Sequence, residues 1–193
     1  MINKTPPAPE APSLPIPGRL VPAAIEDLSE VRDLIQEASD FKMSRGDDLW
    51  GEDPFTDQEV TRMIESGDMF VYKLNGVTAA SVMLADADQR MWGEDEGGDG
   101  SATYVHKLCV GDDFRGQGVG RDVMKLAEAQ ALKTGKTKLR LDCPYNNRSL
   151  CEYYERLGFV EVRRYERPQS PGRRNPDQDA YKAALYQKER ASS

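Results

Sequence analysis

A single histidine in 193 residues leaves little material for a metal centre. The three cysteines, Cys109, Cys143 and Cys151, are odd in number and fall in no CxxC or Cys/His spacing. Neither a zinc site nor a disulfide framework is expected, and the metal expectation is none. No apolar run approaches the ~18 residues of a membrane span, and the start has no charged segment followed by an apolar block. A basic surplus is also lacking. Lys and Arg number 26 against 33 Asp and Glu, a net charge of −7. That argues against a broad nucleic-acid or anionic-membrane footprint, while leaving room for a local basic pocket. The expectation is a reduced, soluble, cytoplasmic protein with no nucleic-acid and no membrane partner.

What is present is enough chain for one domain, since ~150 residues bury roughly two-thirds of their unfolded surface. Six of the twelve prolines lie between Pro6 and Pro17, which predicts a flexible proline-rich tail over residues 1–18. The folded domain is expected over 19–188, with 189–193 as a short C-terminal tail.

Local pattern then predicts the elements. Residues 19–24 read as a strand, and 25–38 as a helix with apolar residues at helical spacing. Thr56 and Glu59 fit a capping box, with the helix ending at Gly67. Met69–Leu74 and Val77–Ala85 flank Asn75-Gly76, a strong hairpin signal. Residues 86–100 read as an acidic, glycine-rich loop. Strands are expected at 103–110, 137–143, 159–165 and 180–187, and helices at 118–134 and 147–157. Residues 167–178 form a proline- and arginine-rich loop. This order implies a mixed α/β (α+β) domain, mostly antiparallel, with helices flanking the sheet.

The most informative stretch is Arg115-Gly-Gln-Gly-Val-Gly120, between a strand and a helix. Glycines there let a ligand approach the backbone, and the helix start adds unpaired N–H groups and a positive dipole end. A diphosphate fits such a seat, with Arg115 and Arg121 as charge partners. A bare glycine turn serves equally as a plain turn. The spacing matches neither the P-loop nor the dinucleotide fingerprint. A second motif follows about 30 residues on: Asn147, then Tyr154, then Gly158-Phe159. Together the two resemble the GNAT superfamily of N-acetyltransferases, whose acetyl-CoA motif is Arg/Gln-x-x-Gly-x-Gly/Ala. The resemblance spans residues 19–188 and is sharpest over 103–160.

That resemblance implies a central mixed sheet of about 6–7 strands with about 4 helices, the fourth and fifth strands splayed at the cofactor site. It implies acetyl-CoA as cofactor and CoA as product. Leu108, Cys109 and Val110 would carry the pantetheine arm. The amides of Arg115, Gly116, Gln117, Gly118, Val119 and Gly120, with Arg121, would hold the pyrophosphate, and Asn147 would contact the cofactor or a bound water. Tyr154 matches the family's proton donor to the departing thiolate; a tyrosine is neutral at pH 7. The alternative for Tyr154 is a core tyrosine on the helix face shared with Leu150 and Leu157, a place that neighbouring Tyr153 could fill instead. His106 is the candidate base, counted on the same strand face as Leu108 and Val110. It matches a histidine of the arylalkylamine branch, although the branch's second histidine is Tyr104 here. A structural histidine, with a carboxylate and ordered water from residues 47–57 or 86–99 as base, stays open.

Residues 26–68 carry 14 acids against 4 bases, and 86–100 carry 6 against 1. Acidic walls would favour a cationic amine. Trp50, Phe55 and Trp92 could pack over that amine or serve as hydrophobic plugs. Arg163, Arg164, Arg167, Arg173 and Arg174 could meet the 3′-phosphate of CoA or an acidic surface. The expected reaction is direct acetyl transfer to a primary amine in a ternary complex, with a small cationic acceptor. A protein N-terminus or lysine, or a non-catalytic acyl-CoA module, is the alternative. The family resemblance also allows a homodimer.

Overall fold

Asn75 and Gly76 both take positive φ, 53° and 84°, and close the hairpin that the Asn-Gly pair signals. In the computed structural model, which describes residues 17–45, 54–167 and 181–189, this hairpin forms part of a seven-stranded sheet. The chain runs β1 (Arg19–Pro22), a 3₁₀ turn, α1 (Leu28–Met43), α2 (Asp57–Glu65), β2 (Met69–Leu74) and β3 (Val77–Ala85). Two single-turn helices follow, α3 (Gln89–Trp92) and α4 (Glu94–Gly97). Then come β4 (Ala102–Val110), a second 3₁₀ turn, α5 (Val119–Lys133), β5 (Lys138–Pro144), α6 (Arg148–Arg156), β6 (Val160–Arg167) and β7 (Tyr181–Glu189). The strand order is β1-β2-β3-β4-β5-β7-β6, and every neighbouring pair is antiparallel except β4 with β5. Most of residues 1–18, Trp50, Arg173 and Arg174 lie outside the described residues.

Local chemistry explains the helix limits. The Thr56 amide donates to Glu59 Oε2 at 2.9 Å, and the Glu59 amide donates to Thr56 Oγ1 at 3.3 Å, so the capping box forms in both directions. Asn147 caps α6, its Oδ1 accepting the Leu150 amide at 3.1 Å. The helices cover both faces. Val123, Met124, Ala127, Cys151 and Tyr154 pack with Val82, Val105 and Leu141 on one side. Val31, Ile35, Val60 and Ile64 pack with Val71 and Cys109 on the other.

Two expectations change. Residues 86–100 are no open loop: they contain α3 and α4, each too short to show a helical period. And β4 is bulged. Met83 pairs with His106 but Ser81 pairs with Cys109, so β4 spends three steps where β3 spends two, with Lys107 at φ 48°. The bulge flips the alternation: Leu108 and Val110 join Val105 on the α5–α6 side, while Cys109 faces α1 and α2. His106 therefore does not share a strand face with Leu108 and Val110, as simple counting predicts. Among the described residues no helix is long and apolar enough to cross a membrane.

Candidate active site

The parallel β4–β5 ladder has only four rungs, from Ala102 with Lys138 to Val105 with Leu141. Beyond Val105 the strands part. From His106 onward, the edge of β4 that faces β5 has no strand partner among the described residues and can receive an extended guest, although Arg115 Nε already takes Val110 O. The splay opens into a cleft of about 1330 Å³, lined by Leu108 and Val110 along one strand and Cys143 along the other.

At the wide end of the splay is the glycine turn. Gly118 is left-handed at φ 84° and caps α5, a conformation that costs roughly 1–2 kcal/mol for a residue with a Cβ. Among the described residues, the amides of Gly116, Gly118, Val119, Gly120 and Arg121 have no backbone acceptor. They cluster at the positive end of a 15-residue helix, the arrangement that seats a diphosphate. Gly120 is needed for a close approach: a Cβ there would lie 2.8 Å from Tyr153 Oη and 3.6 Å from Val110 Cγ2. Gly120→Val is therefore expected to raise KM for acetyl-CoA about tenfold or more, a loss of ~1.4 kcal/mol, as steady-state kinetics at saturating acceptor would read.

The three charged or amide side chains of the turn are not alike. Arg115 folds back: its Nε donates to Val110 O at 3.3 Å and its Nη2 to Glu37 O at 3.2 Å. Asp112 lies 2.7 Å from that Nη2, and the guanidinium stacks 4.2 Å over Phe41. Arg115 thus braces the turn against α1, and its own amide donates to Asp112 O. The Gln117 side chain likewise donates to Asp113 O at 2.6 Å. Arg121 is more open, with Nε 3.5 Å from Asp122 Oδ1.

Between the strands stands Tyr154, buried on α6 with its ring against Tyr153, Phe159 and Tyr186. Burial pushes its phenol far up, with Cys143, Tyr153, Asp142 and Cys109 adding to the rise. Tyr154 lines the cleft together with Leu108 and Val110 of β4 and Cys143 of β5. Its phenol stays a neutral O–H at any working pH. Tyr153 is placed differently: its hydroxyl abuts Gly120, beside the glycine turn. Asn147 lines the same cleft.

His106 stands at the apex, one residue past the last β4–β5 rung, as does Asp142 on β5. Its Nε2 is 3.8 Å from Asp88 Oδ2. Donor atoms of Asp88, His106 and Asp142 all lie within 4.8 Å of one another. The Asp88 side chain is only 9% exposed, and Oδ2 has no hydrogen-bond partner. Oδ1 accepts the Met91 amide at 3.2 Å. Burial pushes the Asp88 carboxyl up; His106 and the Met91 amide pull it back down. Residue pattern located Asp88 only within a range of acidic residues and missed Asp142. The signal for Asp142 was its place, with Arg140, as one of two charges alternating with Leu139, Leu141 and Cys143.

Trp92 is a plug: it is 3% exposed, between Arg140 at 4.6 Å and Arg163 at 5.7 Å from its ring centre. Arg163 Nη2 donates to Trp92 O at 2.7 Å, which is where that member of the basic stretch goes. Phe55 packs in the α1–α2 core under Lys107.

An amide seat at a helix start, an unpaired strand edge below it and a buried tyrosine hydroxyl form a cleft suited to an extended nucleotide cofactor. The chain belongs to the Acetyltransferase (GNAT) family, whose family model matches residues 30–159. It is 34% identical over 147 residues to the uncharacterized N-acetyltransferase YesJ of Bacillus subtilis, covering 72% of this chain and 79% of YesJ. A GNAT-family acetyltransferase structure from Streptococcus agalactiae superposes with a TM-score of 0.72 at 16% identity, covering 91% and 96% of the two chains. The yncA protein of Salmonella typhimurium, solved with its cofactor acetyl-CoA, superposes with a TM-score of 0.65 at 13% identity, covering 91% and 97%. The chain is an acetyl-CoA-dependent acyltransferase of the N-acetyltransferase kind.

Proposed function

We propose that the protein acetylates the primary amine of a small cationic molecule by direct attack in a ternary complex. The observation that carries this reading is the apex of the splay, where two carboxylates and one imidazole meet in the wall of the cleft. An alkylammonium would be drawn to Asp88 and Asp142, and it must lose a proton before it can attack. His106 is the acceptor for that proton, and Asp88, with Oδ2 3.8 Å from Nε2, holds the ring and balances its charge once Nε2 carries the proton.

When bound, acetyl-CoA supplies an activated thioester. The free amides of Gly116, Gly118, Val119, Gly120 and Arg121 hold its diphosphate, and the open β4 edge at Leu108–Val110 holds its arm. Tyr154 Oη donates a proton to the departing sulfur. Direct attack is favoured because neither Cys109 on β4 nor Cys143 on β5 is an activated thiol. Burial pushes Cys109 up to about 11 and raises Cys143 as well, so both stay protonated near pH 7.

The test is thiol release from acetyl-CoA against a panel of alkylamines, arylalkylamines, polyamines, amino acids and lysine-bearing peptides. Turnover with one or more small cationic amines is expected. Turnover confined to the peptides would replace the small-molecule acceptor, and tight acetyl-CoA binding with no turnover on any amine would replace the enzyme reading by a binding module.

A further inference from the structure

Asp88 is not held by the sheet. It sits at the start of the 86–100 excursion, and that excursion is closed on itself. The Asp88 amide donates to Gly97 O at 2.8 Å and the Trp92 amide to Asp88 O at 3.0 Å. Gly97 permits the closure, since a Cβ there would fall 2.4 Å from the Gln89 Cα. The result is a small rigid knob with Asp88 at its base and Trp92 at its far side.

Met91 and Trp92 bury the knob against Ala102, Tyr104, Ala183 and Leu185 of the sheet, and a buried arginine adds the directed bonds that fix it there. Arg140, on β5, is 3% exposed. Its Nη1 donates to Glu96 O at 2.7 Å and to Tyr104 Oη at 2.9 Å, and its Nε to Gln187 Oε1 at 2.8 Å. Its guanidinium lies over both the Trp92 and Tyr104 rings, and Asp99 Oδ2 is 3.8 Å away. Tyr104 Oη itself donates to Glu96 O at 2.5 Å. Arg163, on β6, takes the other flank of Trp92 through its carbonyl and lies 3.4 Å from Glu96 Oε2. A desolvated guanidinium stacked on indole, with planar donors to fixed acceptors, is a strong and directional fastening.

We infer that Arg140 is a positioning residue for the acceptor end: it locks the 86–100 knob to the sheet and so sets Asp88 opposite His106. This rests on the reading of Asp88 and His106 as the groups that receive the amine. Arg140 touches neither cofactor nor acceptor, and acts through Trp92 and Glu96.

Because His106 is the only histidine, its imidazole proton signals are assigned in the spectrum of the intact protein. At one fixed pH, Arg140→Met is expected to displace those signals in the direction that Asp88→Asn does. It is expected to lower kcat between about ten- and a hundredfold, the cost of misplacing a reacting group by about an ångström, with KM for acetyl-CoA unchanged. Arg140→Lys should recover part of the loss. Arg163→Gln, on a half-exposed side chain, covers the case in which Arg140→Met does not fold; it should displace the same signals by a smaller amount. Unmoved signals in a folded Arg140→Met, or in Arg163→Gln where Arg140→Met does not fold, would overturn the inference. So would an equal loss of acetyl-CoA affinity and kcat. If Asp88→Asn keeps full kcat, the acceptor reading falls instead, while displaced signals in Arg140→Met still sustain the clamp.

Discussion

Replacing Tyr154 with phenylalanine is expected to lower kcat by about 10²-fold or more, the usual range for a positioned proton donor, with KM for acetyl-CoA close to the parent value. The change removes one oxygen and keeps the ring, so the contacts with Tyr153, Phe159 and Tyr186 survive. Among the described residues the Tyr154 hydroxyl has no hydrogen-bond partner in the chain, so no buried acceptor is orphaned by its loss. Stability should hold, and a thermal melt would check it. Tyr153→Phe is the control. Its hydroxyl stands beside Gly120, so its loss should act on acetyl-CoA affinity rather than on kcat. The opposite split would reassign the donor to Tyr153.

Much of this site was legible because its parts are local. A left-handed Gly118 with free amides around it follows from glycine spacing at a strand–helix junction, and the Asn147 cap from one side chain beside its own helix. The hairpin at Asn75-Gly76 and the capping box at Thr56 and Glu59 are of the same kind. Contacts between distant segments were not legible. Arg115 looked like a phosphate ligand by its place beside the glycines, and only the fold brings Glu37 O and Phe41 close enough to claim it. The apex needs three segments, 86–100, β4 and β5, and no single stretch announces it. The β4 bulge is the clearest lesson. One extra residue at Lys107 flips every later side chain, so counting by twos from His106 gives the wrong face for Leu108 and Val110. That flip has a consequence for the chemistry. It turns Leu108 and Val110 toward the α5–α6 side, where the glycine turn lies, and leaves His106 facing the side of Met83 and the α1–α2 core. In the proposed reading, cofactor and acceptor groups then lie on two sides of one strand.

His106→Gln is the sharpest test of that separation. Glutamine keeps a planar polar group of similar reach but accepts no proton at working pH. With a reactive alkylamine, kcat is expected to fall about 10²-fold, and affinity for acetyl-CoA should stay, because His106 lies on the acceptor side. The pH profile supplies the sign. In the parent enzyme kcat should decline toward acid, since a protonated imidazole cannot take the ammonium proton. In His106→Gln that acid limb should flatten. Asp88 and Asp142 stand beside the imidazole, and Arg90 from the 86–100 knob, Lys107 from β4, Lys42 from α1 and Glu59 from α2 line the same cleft; Met83 is the partner of His106 on β3. Of these, Asp88 could itself serve as the base, since burial raises its carboxyl. The second variant decides between them. If His106 is the base, Asp88→Asn keeps an acid limb and loses only part of kcat, through a misoriented ring. If Asp88 is the base with water between, Asp88→Asn removes the limb and His106→Gln retains it. Either pattern would place the proton acceptor at the apex of the splay; an acid limb surviving in both single variants and in the double variant would move it elsewhere in the cleft.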